Sequence, residues 1–338
     1  MAVSFVCCVE AGLLEEMTIR LVESLRRWGG AFADAQVFAV VARHGPALHR
    51  RTLDEFKRLN VLCLNEPSGS HYEWFPYYNK PVALAAVEKI SSTDLIAWLD
   101  SDMLVVREPS ALNLEPCIDF AACPSAKEMG TTGPGDPFEA LWQANCRTLG
   151  IDIETLPWVL SDPEKLKMRV YWNSGIFVYR RETKFGQRFL DTCTALMDAN
   201  NVIDSRDFNI SFNEMGAVAL AMHAAGLKWK ELPPSYNHNI NKRSHERLFD
   251  ETAFRSATVI HYHDSMLPDF WENFLMAFGK SDVADWLTKL GPLKDPRSRI
   301  NWLRGKALGI ARGRKRRAYA ETSKTPATAR GWEPLGQT

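Results

Sequence analysis

Two aspartates one residue apart, Asp100-Ser101-Asp102, follow the apolar run Leu95-Ile-Ala-Trp-Leu. Carboxylates are hard oxygen ligands. Where a chain turns out of a strand, two of them can reach one divalent cation, whereas in a continuing strand they would only share a face. A cation held there could bridge a pyrophosphate. A second polar group, Asn173-Ser174-Gly175, opens the apolar run Ile176-Phe-Val-Tyr179. Asn offers a sugar hydroxyl both a donor and an acceptor, and Gly lets a backbone come close. In a third group, His261-Tyr-His263-Asp264, polar residues leave the run Val259-Ile260, and a histidine there could add a metal ligand from a distant part of the chain. Singly, each group has a plainer reading: solvated acids at a strand end, an ordinary turn, a histidine satisfied by its neighbours. Their joint presence favours a site.

Periodicity predicts the elements that must position these groups. Residues 3–9, 36–42, 61–64 and 94–99 read as strands. Residues 13–28 read as a helix, with Leu14, Met17, Leu21, Leu25 and Trp28 at helical spacing and a stop at Gly29-Gly30. Further helices are predicted over 53–59 and 80–90. Strands separated by helices imply an α/β fold with a mainly parallel central sheet flanked by helices, and ligands bind at the carboxyl ends of such strands. The second half is less regular, with strands expected over 120–123, 170–179 and 257–262 and helices over 185–198 and 214–225. The loop His71-Tyr-Glu-Trp74-Phe75-Pro-Tyr77-Tyr78 reads equally well as an aromatic platform for an acceptor sugar and as packed core.

Composition bounds these readings. An apolar fraction of 46 % and a charged fraction of 24 % over 338 residues are ordinary for a globular protein and argue against disorder over most of the chain. Seven scattered cysteines form no CxxC pair and no disulfide framework. No stretch approaches the roughly 20 apolar residues needed to span a bilayer, and the N-terminus has no basic leader, so a cytoplasmic protein is expected. The net charge of zero hides an asymmetry. Residues 1–293 hold 29 basic and 38 acidic side chains, and residues 294–317 hold ten basic and one acidic. Residues 294–338 read as a basic, mostly disordered tail. The tail either holds the chain peripherally at the inner, anionic face of a membrane or simply solubilises it.

In order and spacing, the motifs resemble the GT-A fold glycosyltransferases, a Rossmann-like nucleotide-diphospho-sugar transferase fold. The likeness is strongest to family 8, the glycogenin and lipopolysaccharide galactosyltransferase group. The resemblance spans roughly residues 3–275 and rests on five blocks. These are Asn79-Lys80 opening a helix, the Asp100-Ser101-Asp102 segment, Asn173 to Tyr179, Trp229-Lys-Glu-Leu-Pro-Pro-Ser-Tyr-Asn237, and the strand ending at His261.

The resemblance implies a catalytic domain over 1–293, divided into a nucleotide-binding half (1–110) and an acceptor-binding half (111–293). It implies that Asp100 contacts donor ribose and metal, that Asp102 binds the metal and that His261 completes the metal site. It places Lys80 near the donor, Asn173 and Gly175 at the donor sugar, and Val9, Glu10, Ala11 and Gly12 along the nucleotide base. Ser101 and Ser174, inside these motifs, belong to the same donor site. Glu214 takes the place of the family's Asp-Gln acceptor motif, with Asp207 as a competing carboxylate. The closing motif departs from the family: Leu267 stands where a phosphate-binding lysine is usual, and His263 could replace His261 as ligand. Lys242 or Arg243 could then supply the missing charge.

The implied activity is metal-dependent transfer of a sugar from a nucleotide-sugar, a UDP-sugar by preference, to a saccharide, lipid-linked or other hydroxyl acceptor, with no nucleic-acid partner. The metal is Mn²⁺ or Mg²⁺, with Mn²⁺ better suited to mixed carboxylate and imidazole ligands. Family 8 implies retention of configuration, whereas a general base at Glu214 or Asp207 would give inversion. Two other readings are a sugar-nucleotide-binding protein of this fold without turnover and a haloacid dehalogenase-like phosphatase. The second fits poorly, because about 94 residues precede the strand and Leu104 stands where Thr or Val is wanted.

Overall fold

The computed structural model describes residues 2–201, 207–240 and 250–322, except the side chains of 207–213. Strands and helices alternate through the first third as the periodicity predicts: β1 (Val3–Cys8), α1 (Leu13–Trp28), β2 (Gln36–Val41), α2 (Arg50–Arg58), β3 (Val61–Asn65), α3 (Asn79–Ile90) and β4 (Leu95–Leu99). Then come β5 (Met103–Val105), β6 (Phe120–Pro124), α4 (Glu139–Thr148), β7 (Trp158–Leu160), β8 (Lys167–Arg169), β9 (Trp172–Arg180), α5 (Phe185–Ala199), α6 (Asp207–Ala224), β10 (Trp229–Glu231), β11 (His238–Asn239) and β12 (Val259–His261).

The central sheet has the order β10-β6-β9-β4-β1-β2-β3. Its neighbours are parallel except for β9, which runs antiparallel to both β4 and β6. The chain is therefore mixed α/β with a mostly parallel central sheet. Alternate residues of each strand feed opposite faces, as the pleat requires. Val6, Phe38, Val40, Ile96 and Trp98 pack with residues of α3, α5 and α6. Phe5, Val37, Ala39, Ala97 and Leu99 pack with α1 and α2.

Two features of the second half matter for the site. First, β5, β11 and β12 form a separate small sheet, so the chain leaves β4 through Asp100-Ser101-Asp102 and at once joins another sheet. Second, the pairing of β6 with β9 jumps from Ala122↔Phe177 to Cys123↔Asn173. Ser174 to Ile176 thus bulge out of that ladder, a device that re-aims side chains near functional sites.

The segment read as a disordered tail is different in the structure. It carries a 23-residue helix, Arg299–Glu321, whose N-cap Ser298 accepts from Asn301 N. The far end of this C-terminal helix docks on the domain. Tyr319 lies 5.0 Å from the Trp74 ring, and Asn200 Nδ2 donates to Tyr319 O over 3.0 Å. The misreading has a physical cause: the face turned inward is rich in Gly and Arg, so no apolar period marks it. Residues 323–338 lie outside the described residues. No described helix is long and apolar enough to cross a membrane. The aromatic loop divides: Tyr72, Trp74, Phe75 and Tyr78 are buried core, while Tyr77 is 42 % exposed.

Candidate active site

Sheet register assembles the first cluster. In the antiparallel pair of β5 and β12, Met103 stands opposite His261, and Tyr262 N donates to Asp102 O over 3.0 Å. Asp102 and His261, 159 residues apart in sequence, therefore meet: His261 Nε2 is 3.2 Å from Asp102 Oδ1. His263 Nδ1 is 3.6 Å from Asp102 Oδ2, and the two imidazoles stack with centroids 3.8 Å apart. The ligand atoms of Asp102, His261 and His263 lie within 4.8 Å of one another.

Residues 237–239, which end in β11 parallel to β12, fix both rings. His261 Nδ1–H donates to Asn237 Oδ1, and His263 Nε2–H donates to Asn239 Oδ1, each over 3.0 Å. Hydrogen bonds of this kind orient metal-ligating histidines and leave the other nitrogen free. Gly175 completes the fit, because a Cβ there would come within 3.0 Å of His261 Cε1 and 2.6 Å of Met103 Cε.

Electrostatics suit a cation. Burial opposes ionisation of Asp102, but the neighbouring His261 and His263 outweigh it and hold the carboxylate well below its usual range. Burial, and then His261, push the pKa of His263 down to about 3 despite Asp102, so its ring is neutral at ordinary pH. With Nε2–H given to Asn239, Nδ1 presents a lone pair toward a carboxylate oxygen. Two acceptors facing each other are unfavourable, and a divalent cation between them reverses the sign. The donor set can therefore hold a divalent metal ion.

Asp100 has other partners. Trp98 Nε1 donates to its Oδ1 over 2.7 Å, and Lys80 Nζ stands 3.1 Å away. Lys80, 4 % exposed at the start of α3, also donates to Ser174 O and Ser174 Oγ, both at 2.8 Å, and lies 3.4 Å from Glu214 Oε1. Burial works against its charge, yet Asp100 and Glu214 overcome that and raise its pKa. Ser174 Oγ donates to Glu214 Oε2 over 2.9 Å. Burial raises the Glu214 pKa to about 7, with Lys80 opposing and Asp100 assisting. The β9 bulge makes this cluster possible, since it frees Ser174 O for Lys80 and Gly175 O for Asp100 N at 2.8 Å.

Of the two aspartates in the motif, Asp102 lies with the histidines, whereas Asp100 is engaged by Lys80 and Trp98. Asn173 spends Oδ1 on Gly175 N, at 2.9 Å. Ser101 Oγ donates to Cys8 O, tying the motif to the end of β1. Val9 is buried, whereas Glu10, Ala11 and Gly12 run past the end of β1. Glu10 accepts from Asn79 Nδ2 at 2.6 Å and pairs with Arg43 at 2.6 Å. Asp207 opens α6, but its side chain, like all of Lys242 and Arg243, lies outside the described residues. Sequence reasoning gave Asn237 and Asn239 no role: Asn237 closes the motif over 229–237 and Asn239 lies beyond it, although their spacing of two matches that of His261 and His263. Tyr77 faces the cluster closely enough that burial and then Asp100 raise its pKa, and it was hidden among core aromatics.

Comparison with known proteins now bears on this geometry. The family model described as the Rhodobacterales glycosyltransferase domain matches residues 5–226. No curated protein matches. Among solved structures, the chain is similar to the WbbM bifunctional glycosyltransferase in its apo form, at 12 % identity and a TM-score of 0.45, covering 86 % of this chain and 52 % of that one. It thus spans about half that protein's length. It is also similar to mouse xyloside xylosyltransferase 1, at 12 % identity and a TM-score of 0.44, covering 78 % and 97 %. The family match takes in Lys80, Asp100, Asp102, the Asn173-Ser174-Gly175 bulge and Glu214, and it displaces the phosphatase reading. With about two thirds of its length matched, the chain belongs to the Rhodobacterales glycosyltransferase family and is a glycosyltransferase.

Proposed function

We propose that this enzyme moves a sugar from a nucleotide-sugar, a UDP-sugar by preference, to a hydroxyl of a saccharide or lipid-linked acceptor. In this reading Asp102, His261 and His263 hold Mn²⁺ or Mg²⁺. The observation that carries it is the meeting of Asp102 with two asparagine-oriented imidazoles at the carboxyl end of β4. When bound, the cation supplies positive charge opposite the departing diphosphate.

The remaining work falls to the chain. Lys80 has its N–H groups directed at Ser174 and Asp100, so it positions the bulge and the motif rather than reaching freely for phosphate. In this reading the Asn173 amide and the Tyr77 hydroxyl would meet the sugar. Glu214 is 1 % exposed and bonded to Ser174, which argues against a base acting on an acceptor from the opposite face and supports retention. The family 8 resemblance agrees. Residues 1–110 are read as the nucleotide-binding half and 111–293 as the acceptor half of a GT-A domain.

Peripheral contact with an anionic membrane surface is supported by the outer face of the C-terminal helix. There Ile300 and Leu303 are exposed beside Arg299, Lys306 and Arg317. Sedimentation with anionic vesicles should show binding that neutral vesicles lack.

The test of the reaction itself is Asp102→Asn. Turnover of a UDP-sugar in the presence of Mn²⁺ should fall to background while circular dichroism stays native. Retained metal-dependent turnover in that variant would defeat the proposal.

A further inference from the structure

Between the inner face of the C-terminal helix and the carboxyl ends of β1 and β2 lies a cavity of about 390 Å³, within the range of ligand sites. Glu10 and Ala11 follow β1, Arg43 follows β2, and the helix forms the opposite wall. This helix lies beyond the segment matched by the family model, so the wall is read from this chain alone.

Three observations give the cavity a chemistry. Gly305, Gly309 and Gly313 repeat at a spacing of four and line the wall. Glycine is the poorest helix former after proline, so three in one helix ask for a reason. Packing does not supply it at the middle position: a Cβ on Gly309 would meet nothing within 4 Å. The space beside the stripe is what side chains there would fill. Charge is the second observation. Arg43, Arg297, Arg312 and Arg316 line the cavity together with one carboxylate, Glu10; Arg43 and Asn79 engage Glu10, and Arg297 pairs with Asp295. Burial, and then the nearby Arg43, lower the Arg312 pKa, as expected of a guanidinium facing a like charge. Position is the third. Asn79 joins Glu10 to the Lys80 turn, and Ser101 joins the Asp-x-Asp motif to Cys8, so the end of β1 connects the cavity to the cluster of Lys80 and Asp100 and its motif.

We infer that the C-terminal helix is the outer wall of the donor site, and that this cavity takes the nucleoside end of a nucleoside diphosphate. The glycine stripe leaves room for the base, and Arg312 meets the ligand. The inference rests on the nucleotide-sugar reading above. Guanidinium groups suit the task, since they stack on planar rings and bind phosphate oxygens.

The experiment is calorimetric titration of the full chain with UDP, GDP and CDP in saturating Mn²⁺. It compares the parent with Gly309→Leu, Arg312→Ala and the outward-facing control Ile310→Ala, where residue 310 is 60 % exposed. Gly309→Leu and Arg312→Ala should each weaken the preferred nucleotide by about tenfold or more, while Ile310→Ala and the affinity for Mn²⁺ alone stay unchanged. Leu is the better helix former, so a folding defect is not expected at Gly309. Unchanged nucleotide affinity in both cavity variants would overturn the wall assignment and leave the donor reading standing. A parent chain that binds none of the three nucleotides would take down the donor reading and this inference together.

Discussion

Asp100 and Asp102 stand two residues apart in one motif, yet they occupy opposite electrostatic neighbourhoods. Asp100 ends β4 inside the main sheet and is neutralised by a buried lysine that also holds Ser174 and Glu214. Asp102 has crossed to the small sheet and faces two histidines, one of them neutral. Charge at the first is internally compensated. At the second, a carboxylate faces one neutral imidazole, a contact that a cation would relieve. Under the proposed function, the first cluster carries the architecture of the site and the second takes the metal.

That contrast can be broken by substitution. Asp102→Asn should reduce Mn²⁺-dependent turnover by on the order of a hundred- to a thousandfold, with much less change in the urea midpoint than any loss at Lys80. Lys80→Met should do the reverse in emphasis. It leaves Asp100 and Glu214 without their buried partner and should lower stability by about 3–5 kcal/mol in urea unfolding. A Lys80→Met protein as stable as the parent would show that the compensated cluster is not structural. Gly175→Ala couples the two regions, since its Cβ meets both Met103 and His261. Overpacking there should cost about 1–3 kcal/mol and weaken Mn²⁺ binding.

Finer changes sharpen the same comparison. Asn237→Ala should lower Mn²⁺ affinity by about 10- to 100-fold by freeing the His261 ring, with turnover recovered at high metal if the asparagine only orients it. The smallest effect is in pH. Burial disfavours the charged His261 ring, but Asp102 outweighs burial and raises its pKa, whereas His263 is already neutral. Metal must displace the His261 proton, so affinity should rise with pH up to a point above the ordinary histidine value of about 6.5. Titrations in buffers of different ionisation enthalpy should report about one proton released per ion, not two. Heats independent of buffer would contradict the pairing of His261 with Asp102.

Much of the frame was legible because its signals are local. Strands β1 to β4 are short apolar runs between helices of regular period, and the motif sits at a strand end, where open α/β sheets bind ligands. The histidines were found by type and place. Their division of labour was not, because it depends on β11 lying parallel to β12, a pairing of two residues that no pattern announces. Strand β5 was invisible as a separate element: it is three residues long, directly after Asp100-Ser101-Asp102, and its antiparallel partner β12 lies far along the chain. The C-terminal helix was missed because the face it turns toward the domain is rich in glycine and arginine. The four-residue spacing of Gly305, Gly309 and Gly313 was the signal available.

The most direct test of the account is electron spin-echo envelope modulation on Mn²⁺ bound to the enzyme. Imidazole coordination predicts nitrogen modulation in the parent, diminished in His263→Asn and absent in a variant that also carries His261→Asn. Mn²⁺ bound tightly with no nitrogen modulation in the parent would contradict the site.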